Sequence, residues 1–340
     1  MQGSRRDFLK NAGCLSLGLP LVAAACGSDG KGRRIEMGGK GYPLRDGEAP
    51  IVMTTWGSSK PAADLATKLL AEGMAGIDVV EKAIVVVEDD PAIGLTGLGG
   101  LPDSSGEVTL DASIMDHEGN CGSVGGLRGI RNPIKVARLV KERTKHVFLV
   151  GDKASEFAVE NGLKTEDLLT EKARQAYKKW KDTQVVEGKL ISDTLGLIVL
   201  DTKGNLAGGC STSGTAYKIP GRIGDSPIIG PGLFVEQGIG CAVATGLGEE
   251  IIKVVGSFAV VENMRRGMEP NEAIADVLAR IVKRSKDAKS FQACFMAIRQ
   301  DGMTGAMGLS ASISPFVYHE ARKIDGIMQR KEHKSRAYLT

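Results

Sequence analysis

The chain has 340 residues, 42% of them hydrophobic and 25% charged, with a formal net charge of +3. That composition excludes a disordered or fibrous chain, and the length suffices to bury a sizeable core without cross-links. Arg5, Arg6 and Lys10 against Asp7 (three cations less one anion) hold +2 of the charge, and the +1 left over is too little to imply nucleic acid.

Residues 4–10, Ser-Arg-Arg-Asp-Phe-Leu-Lys, form a twin-arginine pattern ahead of an apolar, small-residue run from Ala12 to Ala25 that is too short to span a bilayer. Val22-Ala23-Ala24-Ala25-Cys26 is similar to a lipoprotein cleavage box, except that Ala23 stands where leucine is usual. Two routes fit: plain cleavage after a small residue, or acylation of Cys26. The reading is therefore a twin-arginine signal over 1–25, export of the folded protein, and a periplasmic or lipid-anchored location. Residues 26–48 are polar, glycine-rich and basic, and read as a linker.

Ile51 to Trp56 is predicted as a first buried strand. Apolar residues then recur at three and four over Pro61–Glu72 and Ile77–Glu88, which predicts two helices. Glu107–Met115 and Cys121–Val124 alternate like paired strands, and helices are expected over Pro133–Glu142, Ala154–Asn161 and Glu171–Lys181. Lys181–Ser192 is polar and without period, as an exposed, mobile segment would be. Beyond it come a hairpin (Leu195–Leu200 and Asn205–Ser211), a strand at Ile239–Thr245, two helices (Glu249–Arg266 and Asn271–Lys283) and strands at Phe291–Arg299 and Met303–Leu309. Lys323–Arg336 reads as a frayed, solvated basic tail. The 45 glycines gather in turns at 94–106, 119–129, 204–214 and 221–248. Without βαβ alternation or a GxGxxG run, a doubly wound nucleotide fold does not fit, whereas two antiparallel sheets stacked between helical layers do. Cys121, Cys210, Cys241 and Cys294 lie far apart with no CxxC, and are expected as small buried residues.

The chemistry gathers at Asp193-Thr194. A threonine hydroxyl is a poor nucleophile unless a base sits beside it, and a free α-amine on the same residue can be that base. Thr194 gains one only if the bond after Asp193 is cut. Downstream stand Thr212, then Arg222 and Asp225 in a Gly-Arg-Ile-Gly-Asp turn, then Thr245-Gly246. Taken singly, each has a bland explanation, such as a strand start, a surface ion pair or a helix cap; their joint order is what points to a site.

From residue 51 to about 310 the chain resembles glycosylasparaginase, a member of the N-terminal nucleophile hydrolases. The matching stretches are TTWGS around Trp56, GLPDSSGEVTLDASIMD at 100–116, GSVGGLRGIRNPIKVAR at 122–138, SDTLGLIVLD at 192–201, GRIGDSPIIGPG at 221–232 and ATGLGEE at 244–250. The resemblance implies an α+β fold, a four-layer αββα sandwich of two stacked antiparallel sheets. It implies one domain made as an inactive precursor that cleaves itself into an α part (49–193) and a β part (194–340), assembled as a dimer of cleaved heterodimers. The implied reaction is hydrolysis of the amide joining N-acetylglucosamine to the asparagine side chain of free glycosylasparagine. Thr194 would be the nucleophile and Thr212 would orient it. The Thr245 hydroxyl and Gly246 N–H would hold the oxyanion, with Gly246 also lining the substrate pocket. Arg222 would take the substrate α-carboxylate, Asp225 its α-ammonium, and Trp56 would wall the pocket. Many relatives carry histidine where this chain has Ser192.

Isoaspartyl peptidases and plant-type asparaginases share much of this pattern, but usually open on a His-Gly-Gly-Ala-Gly run and cleave at Gly-Thr. Thr54-Thr55-Trp56 and Asp193-Thr194 favour glycosylasparaginase. A non-catalytic glycopeptide-binding lipoprotein is a third reading, opposed by retention of every matched position. No HExxH, GxSxG or P-loop occurs and the four histidines are scattered, so no metal or cofactor is expected.

Overall fold

A computed structural model describes residues 41–184, 194–310 and 315–339. The proposed signal, Cys26, Ser192 and Asp193 lie outside the described residues, as does most of the segment expected to be mobile.

Among the described residues, thirteen strands and eight α-helices are assigned. In chain order they are β1 (Ile51–Thr55), α1 (Lys60–Ala71), α2 (Gly76–Glu88), β2 (Thr109–Met115), β3 (Cys121–Arg128), α3 (Pro133–Arg143), β4 (Phe148–Val150), α4 (Gly151–Glu160) and α5 (Glu171–Thr183). The second half holds β5 (Leu195–Leu200), β6 (Leu206–Thr212), β7 (Leu233–Glu236), β8 (Gly240–Gly246), α6 (Gly248–Val254), α7 (Gly256–Arg265), α8 (Pro270–Arg284), β9 (Ala293–Arg299), β10 (Thr304–Ser310), β11 (Val317–Ile324), β12 (Ile327–Lys334) and β13 (Arg336–Leu339). Eight strands form one sheet in the order β12-β11-β1-β5-β6-β2-β3-β4, and five form a second in the order β13-β10-β9-β8-β7. Pairing is antiparallel as expected, except that each sheet adds one parallel edge strand, β4 beside β3 and β13 beside β10.

The layers follow from side-chain parity. Val52, Leu197 and Val199 point to one core shared with α1 to α4, while Ile51, Met53, Ile198 and Leu200 point to a second core between the sheets. The second sheet repeats the pattern, with Cys241, Val243, Cys294 and Met296 facing the first sheet. Ala242, Ala244, Phe295 and Ala297 face α7 and α8. Strands buried on both faces read as unbroken apolar runs, which is why β5, β8 and β9 stood out in the sequence. The result is a four-layer αββα sandwich.

Two expectations need correction, and two strands were not expected. The basic tail is not frayed: β11 and β12 form a hairpin around Asp325-Gly326, both at positive φ, and β11 pairs with β1 from Ile51↔Arg322 to Thr55↔Tyr318. Its charge belongs to an edge strand, where Lys and Arg oppose further pairing. The helix expected over Glu249–Arg266 is two, broken where Val255 adopts a left-handed conformation with φ 51. Finally, the short strands β4 and β7 went unrecognised, at three and four residues carrying little periodic signal. Among the described residues no disulfide forms: Cys210, Cys241 and Cys294 are buried and Cys121 is half-buried.

Candidate active site

Parity also places the threonines. Residues 194, 196, 198 and 200 share one face of the β5 line; Ile198 and Leu200 lie between the sheets, and a side chain at Gly196 would strike Val243 of β8. Thr194 therefore opens β5 pointing at the second sheet. By the same count Thr212 ends β6 and Thr245 nearly ends β8 on faces turned into that space. All three are buried, Thr194 to 1% exposure.

Each polar atom of Thr194 is held. Its backbone N–H donates to Thr245 Oγ1 at 3.2 Å, its carbonyl accepts from Thr55 Oγ1 at 2.6 Å, and its hydroxyl lies 2.9 Å from Ser226 Oγ. Thr55 Oγ1 also accepts from Gly196 N at 2.8 Å, so one hydroxyl fixes the backbone on both sides of Leu195. Thr212 Oγ1 accepts from Gly214 N at 2.9 Å. Ser226 is thus the hydrogen-bond partner found for the Thr194 hydroxyl.

Trp56 follows β1 with φ 64, a conformation bulky residues rarely hold. Its ring meets Phe316 edge to face, centroids 5.4 Å apart, and its indole N–H donates to Thr245 Oγ1 at 3.1 Å. Thr245 therefore accepts from both Trp56 and Thr194, and it does not cap a helix: α6 begins at Gly248, after Leu247. Gly246 has φ 114, and a Cβ there would come within 2.3 Å of the Gln292 carbonyl, so only glycine fits.

Arg222 and Asp225 do not form a surface pair. Arg222 donates through Nε and Nη2 to both carboxylate oxygens of Glu249 at 2.8 and 2.9 Å, a bidentate fork. The hydrogen bond from Arg222 holds the Glu249 carboxyl below its ordinary range, overcoming partial burial. Asp225 is buried, its Oδ2 has no hydrogen-bond partner among the described residues, and its carboxyl packs so closely on Gly248 that a Cβ there would lie 2.7 Å from Oδ1. Burial pushes Asp225 up to about 7, against the opposing pull of its own backbone N–H and of Arg222.

Sequence reasoning missed the supporting groups. Lys218 is buried with Nζ 3.9 Å from Asp111 Oδ2, and burial lowers the lysine and raises the aspartate. A Cβ on Gly214 would sit 2.8 Å from Lys218 Nζ and 3.3 Å from Arg222 Nη1, so the two cations converge on that glycine. Behind β6, Ser211 donates to buried Glu88 at 2.7 Å, and burial raises that carboxyl to about 8 despite this bond and one from Ile134 N. The signal available for Lys218 and Ser226 was position alone, four residues before and four after Arg222. Among the described residues, no three His, Cys, Asp or Glu side chains are grouped to hold a metal.

A family model described as asparaginase matches residues 38–328. A protein of Elizabethkingia miricola named N(4)-(beta-N-acetylglucosaminyl)-L-asparaginase is 42% identical over 333 residues, covering 95% of this chain and 94% of its own. Proteins with that name from Rattus norvegicus and Mus musculus are 36% and 37% identical, covering 81% and 72% of this chain and 88% and 81% of their own. With sheets and helices in the expected layers and most of its length matched, the chain belongs to the asparaginase family of N-terminal nucleophile hydrolases, alongside the glycosylasparaginases.

Proposed function

We propose that this chain is a self-activating amidohydrolase that cleaves the bond between N-acetylglucosamine and the asparagine side chain of free glycosylasparagine. The observation that carries the reading is Thr194, buried just before β5 and directed into the inter-sheet space, directly after Asp193 in sequence, with all its polar atoms held. In the precursor, Thr194 Oγ attacks the Asp193 carbonyl carbon, the peptide C–N bond breaks, and an ester replaces it. Water then hydrolyses the ester, leaving a carboxylate on Asp193 and a free amine on Thr194.

In the mature enzyme that amine takes the hydroxyl proton as Oγ attacks the side-chain amide of the substrate, and it returns the proton to the departing glycosylamine. A β-aspartyl ester remains, which water opens with the amine again as base. The Thr245 hydroxyl and Gly246 N–H are the groups assigned to the developing oxyanion. Arg222 takes the α-carboxylate and Asp225 the α-ammonium, Thr212 buttresses the nucleophile's strand end, and Trp56 walls the pocket while bonding Thr245. Export by the twin-arginine route, acylation at Cys26 and pairing of two cleaved heterodimers complete the proposal. The leader motif supports the first two.

Purified protein is expected to resolve on a denaturing gel into two fragments, the second beginning at Thr194 by mass or Edman analysis. Thr194→Ala should stay intact and inactive, and Thr194→Cys should still cleave, because a thiol makes the same acyl shift. An intact chain with full amidase activity would overturn the mechanism. Faster cleavage of β-aspartyl dipeptides than of GlcNAc-Asn would move the chain to the isoaspartyl peptidases.

A further inference from the structure

The partner of the nucleophile's hydroxyl is a serine that no motif reasoning singled out. Ser226 is 1% exposed, its Oγ lies 2.9 Å from Thr194 Oγ1, and it directly follows Asp225, the buried carboxylate assigned to the substrate ammonium. Its backbone is pinned: Ser113 of β2 donates to the Ser226 carbonyl at 2.7 Å, Ile228 N donates to the Asp225 carbonyl at 2.9 Å, and a Cβ on Gly232 would lie 2.4 Å from the same carbonyl. A hydroxyl on so rigid a segment has a fixed position relative to Thr194.

We propose that Ser226 is a positioning residue for the nucleophile, fixing the Thr194 rotamer both for self-cleavage and for attack on the amide. The inference rests on the function proposed above. A threonine side chain has three staggered wells, and only one directs Oγ at a given carbonyl. Backbone bonds to Thr245 and Thr55 fix the main chain of Thr194 but leave χ1 free to choose. The contact with Ser226 makes that choice, at a site where an unmade buried hydrogen bond is disfavoured. Once the amine is free, it becomes the acceptor for the Thr194 hydroxyl proton. Ser226 then donates to Oγ, leaving that proton directed at the base. Because Ser226 is the next residue after Asp225, seating the substrate ammonium and aiming the nucleophile become properties of one segment.

The test uses the full chain carrying Ser226→Ala, Ser226→Cys or Ser113→Ala. Ser226→Ala should slow appearance of the fragment starting at Thr194 by about 10- to 100-fold, and should lower kcat of the cleaved fraction by a similar factor with KM for GlcNAc-Asn within about threefold. Ser226→Cys, near in size but a weak hydrogen-bonder, should fall between and decides the matter if the alanine variant does not fold. Ser113→Ala loosens the segment without touching the Ser226 hydroxyl, so it should raise KM more than it lowers kcat. Maturation and kcat of Ser226→Ala or Ser226→Cys within about twofold of the parent would overturn the inference. So would a pattern in Ser226→Ala identical to that of Ser113→Ala, which would mean a mere brace. A parent chain that never cleaves would overturn the proposed function and this inference together; a cleaving parent matched by its Ser226 variants would overturn this inference alone.

Discussion

The two halves of the site are built from opposite materials. Around Thr194 the groups are neutral hydroxyls and an indole, each bonded to the next through Thr55, Ser226, Thr245 and Trp56. Around Arg222 they are charged groups, most of them withdrawn from water: Arg222 against the half-exposed Glu249, Lys218 near Asp111, and carboxylate oxygens on Asp103, Asp111 and Asp225 with no hydrogen-bond partner among the described residues. A neutral network is inexpensive to bury once every member is bonded, so the nucleophile can be aimed before substrate arrives. Buried charges become favourable only when opposite charge meets them. Under the proposed function, the reacting end is therefore preset and the recognition end responds to a zwitterion.

The sharpest way to break this contrast is to remove substrate charge. N-acetylated GlcNAc-Asn offers Asp225 no ammonium, and blocking the α-carboxylate as well leaves the Arg222 end unmet. Loss on the order of a thousandfold or more in kcat/KM is expected for the doubly blocked substrate. Because Glu249 already binds Nε and Nη2 of Arg222, the substrate must use the edge that includes Nη1, which lies against Gly214 and Gly224. Arg222→Lys keeps the charge but loses the fork that reaches both partners, and should raise KM more than it lowers kcat. Equal rates on free and blocked substrates would show that the charged half does not select.

The next effect is in pH. Asp225 must be ionised to hold an ammonium, and burial has raised it to about 7. A free α-amine, ordinarily near 7.7 to 8.0, must be neutral to act as base. Two groups then lose their required state as pH falls, so log kcat/KM should steepen from a slope of about one to a slope of about two below pH 7. Log kcat should keep a slope of one, because bound ammonium holds Asp225 ionised in the complex. Asp225→Asn should return the kcat/KM limb to a slope of one at a much lower plateau. A parent limb of slope one throughout would mean that Asp225 does not titrate in the working range.

What the sequence could say divides along a different line, between residues inside ordered motifs and the contacts that join them. Strands buried on both faces announce themselves as apolar runs, and Thr194, Arg222, Asp225 and Thr245 stand inside motifs whose order is specific. The neutral network did not show, because its members become neighbours only through register and parity. Thr55 reads as an ordinary strand residue, and Ser226 as a turn former before Pro227. Glu249, the partner of Arg222, lies 27 positions away on a different element. The β11–β12 hairpin hid for a different reason: its charges suit an edge strand, and a pattern search tuned to apolar alternation passes over them.

The smallest expected effect probes the neutral half through Trp56. If the indole only walls the pocket, Trp56→Phe should change substrate affinity, since a smaller ring leaves space on the wall that the proposal assigns to the substrate. The structure gives the ring a second duty, an N–H bond of 3.1 Å to the same Thr245 oxygen that accepts from Thr194 N. Phenylalanine keeps an apolar ring for the edge contact with Phe316 but removes that donor, weakening the hold on the Thr245 hydroxyl that the proposal assigns to the oxyanion. Loss of one neutral hydrogen bond is worth about 0.5–1.5 kcal/mol, so kcat should fall by roughly 2- to 10-fold while KM for GlcNAc-Asn changes less than kcat does. Autocleavage should slow by a similar factor, because Thr245 also fixes the Thr194 backbone in the precursor. A rise in KM with kcat and maturation unchanged would return Trp56 to the role of a wall and would remove the indole from the network that aims the nucleophile.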